Sequence, residues 1–252
     1  MAKIHCELRP AQLGINTEII LTIPDSGRKT YPVVWLLHGG GGSCEDFASM
    51  FDLQHYSNRY KVSFVSGEAQ NSSYCDMPFG PGWFTYHTIT LPAFVQRNFP
   101  ISADPQQQYL CGISMGGYGS IKMLMTTPEK YQKAASLGGG VWLAQKYAEG
   151  KTEGIMDRLL EQDFGSDRAL VCGGENDCLN LAARAAGRIK EGQVLLCCGK
   201  NDFSYHENRQ FCNHLKEKGI PFHFWENAFG HDREAWNDFF PKVLEWMFPT
   251  AK

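Results

Sequence analysis

The run Gly112-Ile113-Ser114-Met115-Gly116 sets a hydroxyl between two glycines, directly after the strand-like segment Gln108–Cys111 and directly before a segment of helical period. A serine hydroxyl is a weak nucleophile until a neighbouring base shares its proton. At a strand-to-helix bend a side chain at Gly112 or Gly116 would collide with the adjacent strand or helix, and the bend exposes Ser114 to such a base. The helix that follows points its free N–H groups at any oxyanion formed there, which makes the N–H of Met115 the first expected donor. A glycine-rich turn without chemistry shares the bare pattern; the flanking strand and helix favour the nucleophile.

An oxyanion needs a second donor, and Leu36-Leu37-His38-Gly39-Gly40-Gly41-Gly42 follows the most apolar strand. Losing one such donor typically costs about a hundred- to a thousandfold in rate. Gly40 is the expected donor, with Gly41 beside it as a substrate contact. The glycine run lacks the Lys-Ser/Thr ending of a phosphate-binding loop, and the dinucleotide spacing fails at Cys44. His38 is read as holding this loop.

Where a serine nucleophile sits at such a bend, the acid and the histidine follow it in that order, at the ends of later strands. Val194–Cys197 leads to Asp202, and Phe222–Trp225 leads to Gly230-His231-Asp232. His231 would take the Ser114 proton and return it to the leaving group, while Asp202 fixes the imidazole tautomer. Asp177, in Gly173-Gly174-Glu175-Asn176-Asp177, is the rival acid but lacks a clear strand before it. The other histidines have no metal-binding spacing, so no metal is expected.

These groups need a scaffold that brings several strand ends together. Apolar runs of strand length alternate with helical segments, the signature of a mainly parallel sheet with helices on both faces. Strands are expected at Val33–Leu37, Val62–Val65, Gln108–Cys111, Val194–Cys197 and Pro221–Trp225, with an antiparallel edge from residues 3–9 and 15–23. Helices are expected near 82–98, 115–127, 205–218 and 232–246, with Pro100, Pro128 and Gly219 as breakers. Residues 140–190 interrupt the rhythm with short, weakly amphipathic pieces and are read as a small lid insertion. A chain of 252 residues suits one core, so residues 1–252 are read as a single domain.

The charge balance, 24 basic against 27 acidic residues, holds no block of one sign, which argues against nucleic-acid and membrane partners. Nine cysteines, with Cys111, Cys197 and Cys198 in apolar runs, suggest reduced core thiols. Met1–Glu7 lacks the pattern of a signal peptide and no apolar run approaches a membrane span, so a cytoplasmic protein is expected.

Gly112-Ile113-Ser114-Met115-Gly116-Gly117-Tyr118-Gly119, Cys198-Gly199-Lys200-Asn201-Asp202-Phe203 and Gly230-His231-Asp232 with Trp236 resemble the esterase family that includes esterase D (S-formylglutathione hydrolase), tributyrin esterases and feruloyl or acetyl-xylan esterases. The resemblance runs from the His38-Gly39 loop to the helix after His231. It implies an α/β-hydrolase fold and a cofactor-free serine carboxylesterase acting on a small ester, short-chain or hydroxycinnamoyl and in some relatives carbohydrate-linked. The alternatives are an S-formylglutathione thioesterase, acyl transfer to an alcohol, and a non-catalytic carbohydrate-binding protein on the same fold. A homo-oligomer stays open. Trp83, Trp142 and Phe79 are candidates to stack on an aromatic acyl group, or else ordinary core aromatics.

Overall fold

A computed structural model describes residues 2–249 of the chain. Met1 and residues 250–252, which the expected domain span and the N-terminal reading include, lie outside the described residues. One eight-stranded sheet carries the described residues in the order β1-β2-β4-β3-β5-β6-β7-β8. The strands are β1 (Ala2–Leu8), β2 (Thr17–Ile23), β3 (Val33–Leu37), β4 (Ser63–Gly67), β5 (Gln108–Ile113), β6 (Lys133–Leu137), β7 (Val194–Gly199) and β8 (His223–Asn227). From β4 to β8 all neighbours pair parallel, and β1 and β2 form the antiparallel edge that the sequence suggests.

The helices are α1 (Asp46–Met50), α2 (Leu53–Tyr60), α3 (Trp83–Thr85), α4 (Leu91–Asn98), α5 (Met115–Thr126), α6 (Leu143–Ala148), α7 (Gly154–Phe164), α8 (Cys178–Ala185), α9 (Tyr205–Glu217) and α10 (Arg233–Met247). Side chains alternate across a strand. Val33, Trp35 and Leu37 therefore join one core with Leu91, Ile121, Leu181 and Phe211, while Val34 and Leu36 join a second with Phe47, Leu53, Phe240 and Val243. Helices α4, α5, α8 and α9 cover the first face, and α1, α2 and α10 the second. All nine cysteines are unpaired and seven are buried. Among the described residues no helix is long and apolar enough to cross a membrane.

Three local features differ from the sequence reading. Strand β6, whose Ala134 and Ala135 are fully buried between neighbouring strands and helices, was not anticipated, because its small residues lack an apolar run's signature. The short helices α1 and α2 were also missed. The helix expected over 82–98 is instead α3, a π turn at Tyr86–Thr90, and α4. Pro92 has no N–H for the Thr88 carbonyl and its ring crowds it, which accounts for the changed winding just before it. In the segment read as a lid, α6 and α7 enclose a small cluster of Ala144, Tyr147, Leu160 and Val171, whereas α8 packs on α5.

Because β3, β4, β5, β7 and β8 run parallel, the loops that leave them share one edge of the sheet. The loop after β3 is braced from β4. His38 is fully buried; its Nδ1 donates to the Gly39 carbonyl (2.8 Å), while Nε2 faces the Ala69 N–H (2.9 Å) and Glu68 Oε1 (3.1 Å). Burial acts to raise the Glu68 carboxyl, but His38 and the N–H groups of Gln70 and Ala69 outweigh it and bring it down to about 2. A carboxyl depressed in the folded state contributes stability above its unfolded value and loses it as the pH falls through the folded one. Glu68→Gln is thus expected to melt below the wild type at pH 7, with the gap closing between pH 4.5 and about 2. Thermal melts across that range check it; a gap that stays constant contradicts the brace.

Candidate active site

The bend after β5 places Ser114 at φ 54° and ψ −113°, a conformation that costs an ordinary residue about 1–3 kcal/mol and persists only where packing imposes it. That packing is visible in the flanking glycines. A Cβ at Gly112 would lie 1.9 Å from the Gly116 carbonyl oxygen, and one at Gly116 would lie 1.9 Å from the carbonyl oxygen of Leu37. The Ser114 N–H donates to the Leu137 carbonyl of β6 (2.8 Å), and the Ser114 carbonyl accepts from the Tyr118 N–H (3.0 Å), opening α5. The bend is locked to β3, β5, β6 and α5 at once.

The loops after β7 and β8 bring Asp202 and His231 to this bend. Asp202 Oδ2 is 2.7 Å from His231 Nδ1, and His231 Nε2 is 2.8 Å from Ser114 Oγ. The carboxylate accepts a hydrogen bond from the Nδ1–H, which leaves the Nε2 lone pair facing the serine hydroxyl. Asp202 is buried, and burial acts to raise its carboxyl. The His231 hydrogen bond and the Ser204 N–H (2.7 Å) and hydroxyl (2.8 Å) on Oδ1 overcome that and hold it below the ordinary carboxylate value. The imidazole is flanked by Phe203 (ring centroids 4.4 Å apart) and by Trp236 at a near-perpendicular 88°. Its Nε2 can therefore receive a proton while the ring stays fixed.

Gly40 and Met115 line the same cleft as the serine. A Cβ at Gly40 would be 4.0 Å from that of Met115, and one at Gly39 would be 3.4 Å from that of Ser114. Among the described residues no hydrogen bond outside regular elements takes up the N–H of Gly40, whereas the Gly41 N–H is already given to Asn71 Oδ1 (2.6 Å). The N–H of Met115, at the first position of α5, has no acceptor within its helix. Two free N–H groups thus stand beside the hydroxyl, and Asn71 holds the glycine loop.

A cleft of about 370 Å³ opens beside Ser114. Gly40, Gly41, Met115 and His231 line it near the serine, and Leu143, Ile155, Met156, Leu159 and Leu160 of α6 and α7 form an apolar wall. Two expected substrate contacts are elsewhere. Trp83 is fully buried, edge-on to Tyr86 in the main core, and Trp142 packs against the same core; neither lines the cleft. A large aromatic side chain gains by burying its apolar area, which Trp83 does completely and Trp142 in part. Phe79 is fully exposed and also off the cleft. Asp177 caps α8, its Oδ1 accepting from the Leu179 N–H (2.8 Å) and from Gln145 Nε2 (2.6 Å), so the rival acid is spent on structure.

The sequence reading did not single out Asn71, Ser73 or Asp163 as site residues. Asn71 and Ser73 leave the carboxyl end of β4, so the strand order alone would have directed attention to them. Asp163 carries no such signal, being one acidic residue of an amphipathic helix.

Residues 11–247 match the Esterase family, described as "Putative esterase". Among curated proteins, an acetyl esterase of Caldicellulosiruptor saccharolyticus is 26% identical over 270 aligned positions, covering 98% of each chain. Among solved structures, FphF, the Staphylococcus aureus fluorophosphonate-binding serine hydrolase F, superposes with a TM-score of 0.87 at 25% identity over 99% of both chains. The S-formylglutathione hydrolase FrmB of Staphylococcus aureus gives 0.84 at 25% identity over 98% of both. A ferulic acid esterase, at 0.78 and 19% identity, shares the fold. With the sheet order, the bend and these matches together, the chain belongs to this esterase family and is a serine carboxylic ester hydrolase of the α/β-hydrolase fold.

Proposed function

We propose that this chain hydrolyses small oxygen esters, short-chain or hydroxycinnamoyl, through an acyl-Ser114 intermediate. The observation that carries the reading is the chain of contacts Asp202–His231–Ser114, at 2.7 and 2.8 Å. His231 Nε2 takes the Ser114 proton as Oγ bonds to the ester carbonyl carbon, and the N–H groups of Gly40 and Met115 receive the oxyanion. The carbonyl then re-forms, the C–O bond to the alcohol breaks, and His231 returns the proton to the departing oxygen. Water repeats the sequence on the acyl-enzyme and releases the acid. Asp202, ionised throughout, stabilises the imidazolium in both halves.

The cleft favours an oxygen ester with an apolar body over a glutathione thioester. Its lining includes no Lys or Arg to meet the two carboxylates of glutathione, and its α6–α7 wall is aliphatic. In this reading α6 and α7 form the lid of one domain, the unpaired thiols suit a cytoplasmic setting, and neither metal nor cofactor takes part.

Ser114→Ala is expected to abolish p-nitrophenyl butyrate turnover and covalent labelling by a fluorophosphonate; turnover at the wild-type rate removes the proposal. Asp202→Asn keeps the hydrogen-bonding shape but favours the wrong imidazole tautomer, and kcat is expected to fall on the order of ten thousandfold with little change in KM. Steady-state kinetics on an ester panel, with S-formylglutathione as the competing arm, measures both the loss and the substrate class.

A further inference from the structure

One group in the cleft has no part in the chemistry above. Asp163 lines it, is 1% exposed, and neither carboxyl oxygen has a hydrogen-bond partner. Leaving a buried polar group unpaired is costly, more so when it carries charge. Burial raises its carboxyl to about 7, against the lowering influence of the Ser73 hydroxyl and the Lys122 ammonium. Lys122 does not satisfy it. Its Nζ donates to the Tyr74 carbonyl (3.1 Å), Cys75 Sγ (3.1 Å) and Asn176 Oδ1 (2.6 Å), and among the described residues it makes no hydrogen bond to Asp163.

The approach to Asp163 is built by one helix. Ile155 (65% exposed) and Met156 (47%) stand at the outer end of α7, and Leu159 and Leu160 lead inward to Asp163. Asp163 follows Ile155 by eight positions of helix, about 12 Å along the axis. Facing the acid, Ser73 lines the same cleft from a loop in which Ser73 (φ 46°) and Tyr74 (φ 47°) both hold left-handed backbone, a strain tolerated mainly at functional sites.

We infer that Asp163 and Ser73 form a polar floor that selects esters whose apolar body ends in a hydroxyl group. A hydrocarbon end would leave the carboxyl unpaired, an anion would be repelled by it, and a cation would meet the Lys122 ammonium that already acts on it. A neutral hydroxyl donates to Asp163 and accepts from Ser73. The Asp163 oxygens are shielded from bulk water, so a substrate hydroxyl at this floor bonds to them without competition from solvent. This rests on the reading of Ser114 as nucleophile.

Two matched ester pairs locate the hydroxyl: methyl 3-(4-hydroxyphenyl)propanoate against its 4-methoxy counterpart for the acyl half, and 4-hydroxyphenethyl acetate against its 4-methoxy counterpart for the alcohol half. Rates are taken per fluorophosphonate-reactive site. In one pair the wild type is expected to prefer the hydroxyl member by about five- to a hundredfold in kcat/KM, the span of the cost of leaving a buried polar group unpaired, and mainly through KM. Asp163→Leu is expected to bring that ratio near one, and Asp163→Asn, whose amide oxygen still accepts, to keep part of it. Should Asp163→Leu not fold, full retention of the preference by Asp163→Asn overturns the inference. Absence of a preference in both wild-type pairs, or its persistence in Asp163→Leu, overturns it equally. These outcomes leave the Ser114 reading standing, because that reading falls only with an active Ser114→Ala.

Discussion

The strained backbone at Ser114 is the constraint on which the rest of the structure converges. A left-handed serine followed at once by a helix is unfavourable in isolation, so the surroundings must over-determine it. They do so by contact distance. Gly112 meets the first turn of α5, Gly116 meets the end of β3, and the Ser114 N–H is tied to β6. Three strands and a helix would have to separate before the bend could relax. The hydroxyl is thereby held where a loop more than a hundred positions later delivers an imidazole.

Charge is placed with the same economy. The only anion required at the serine is transient, and it forms at the start of α5, where the helix presents unpaired N–H groups and its positive end. The permanent anion, Asp202, lies on the far side of His231, solvated by the Ser204 N–H and hydroxyl instead of by water. It therefore remains ionised despite burial and can stabilise an imidazolium without competing for the serine proton. Glu68 performs a similar service one layer back, orienting His38, whose Nδ1 holds the Gly39 carbonyl and so aims the adjoining glycine loop.

Much of this was legible in the chain because the chemistry restricts which residue types can stand at the ends of strands. Ser114, Asp202 and His231 were found by following strand ends in order, and the structure brings all three within hydrogen-bonding distance. The same logic separated Asp202 from Asp177, since only the former follows a strand. Strand order carries no signal where position in the fold depends on packing alone. β6 was missed because its residues are small to fit between two strands under helices, and small residues carry no periodic signal. Trp83 and Trp142 were placed at the cleft on residue type, whereas the core claims them through their apolar area.

The walls of the cleft were the least legible part, and their departures from local rules share a location. Left-handed non-glycine residues occur at Gln70, Ser73 and Tyr74 in the loop that leaves β4, and a carboxyl without a hydrogen-bond partner occurs at Asp163 across from it. Each is unfavourable for folding taken alone. The core accounts for part of it, since Tyr74 is fully buried, its hydroxyl donates to the His38 carbonyl and its own carbonyl accepts from Lys122, whereas no hydrogen bond among the described residues accounts for the Asp163 carboxyl. Of these residues Ser73 and Asp163 line the cavity beside the nucleophile, and unfavourable features gathered at a cavity mark a place where function outweighs local stability. The strand ends hold the machinery for opening an ester, while the loop after β4 and the inner end of α7 shape the cleft beside it.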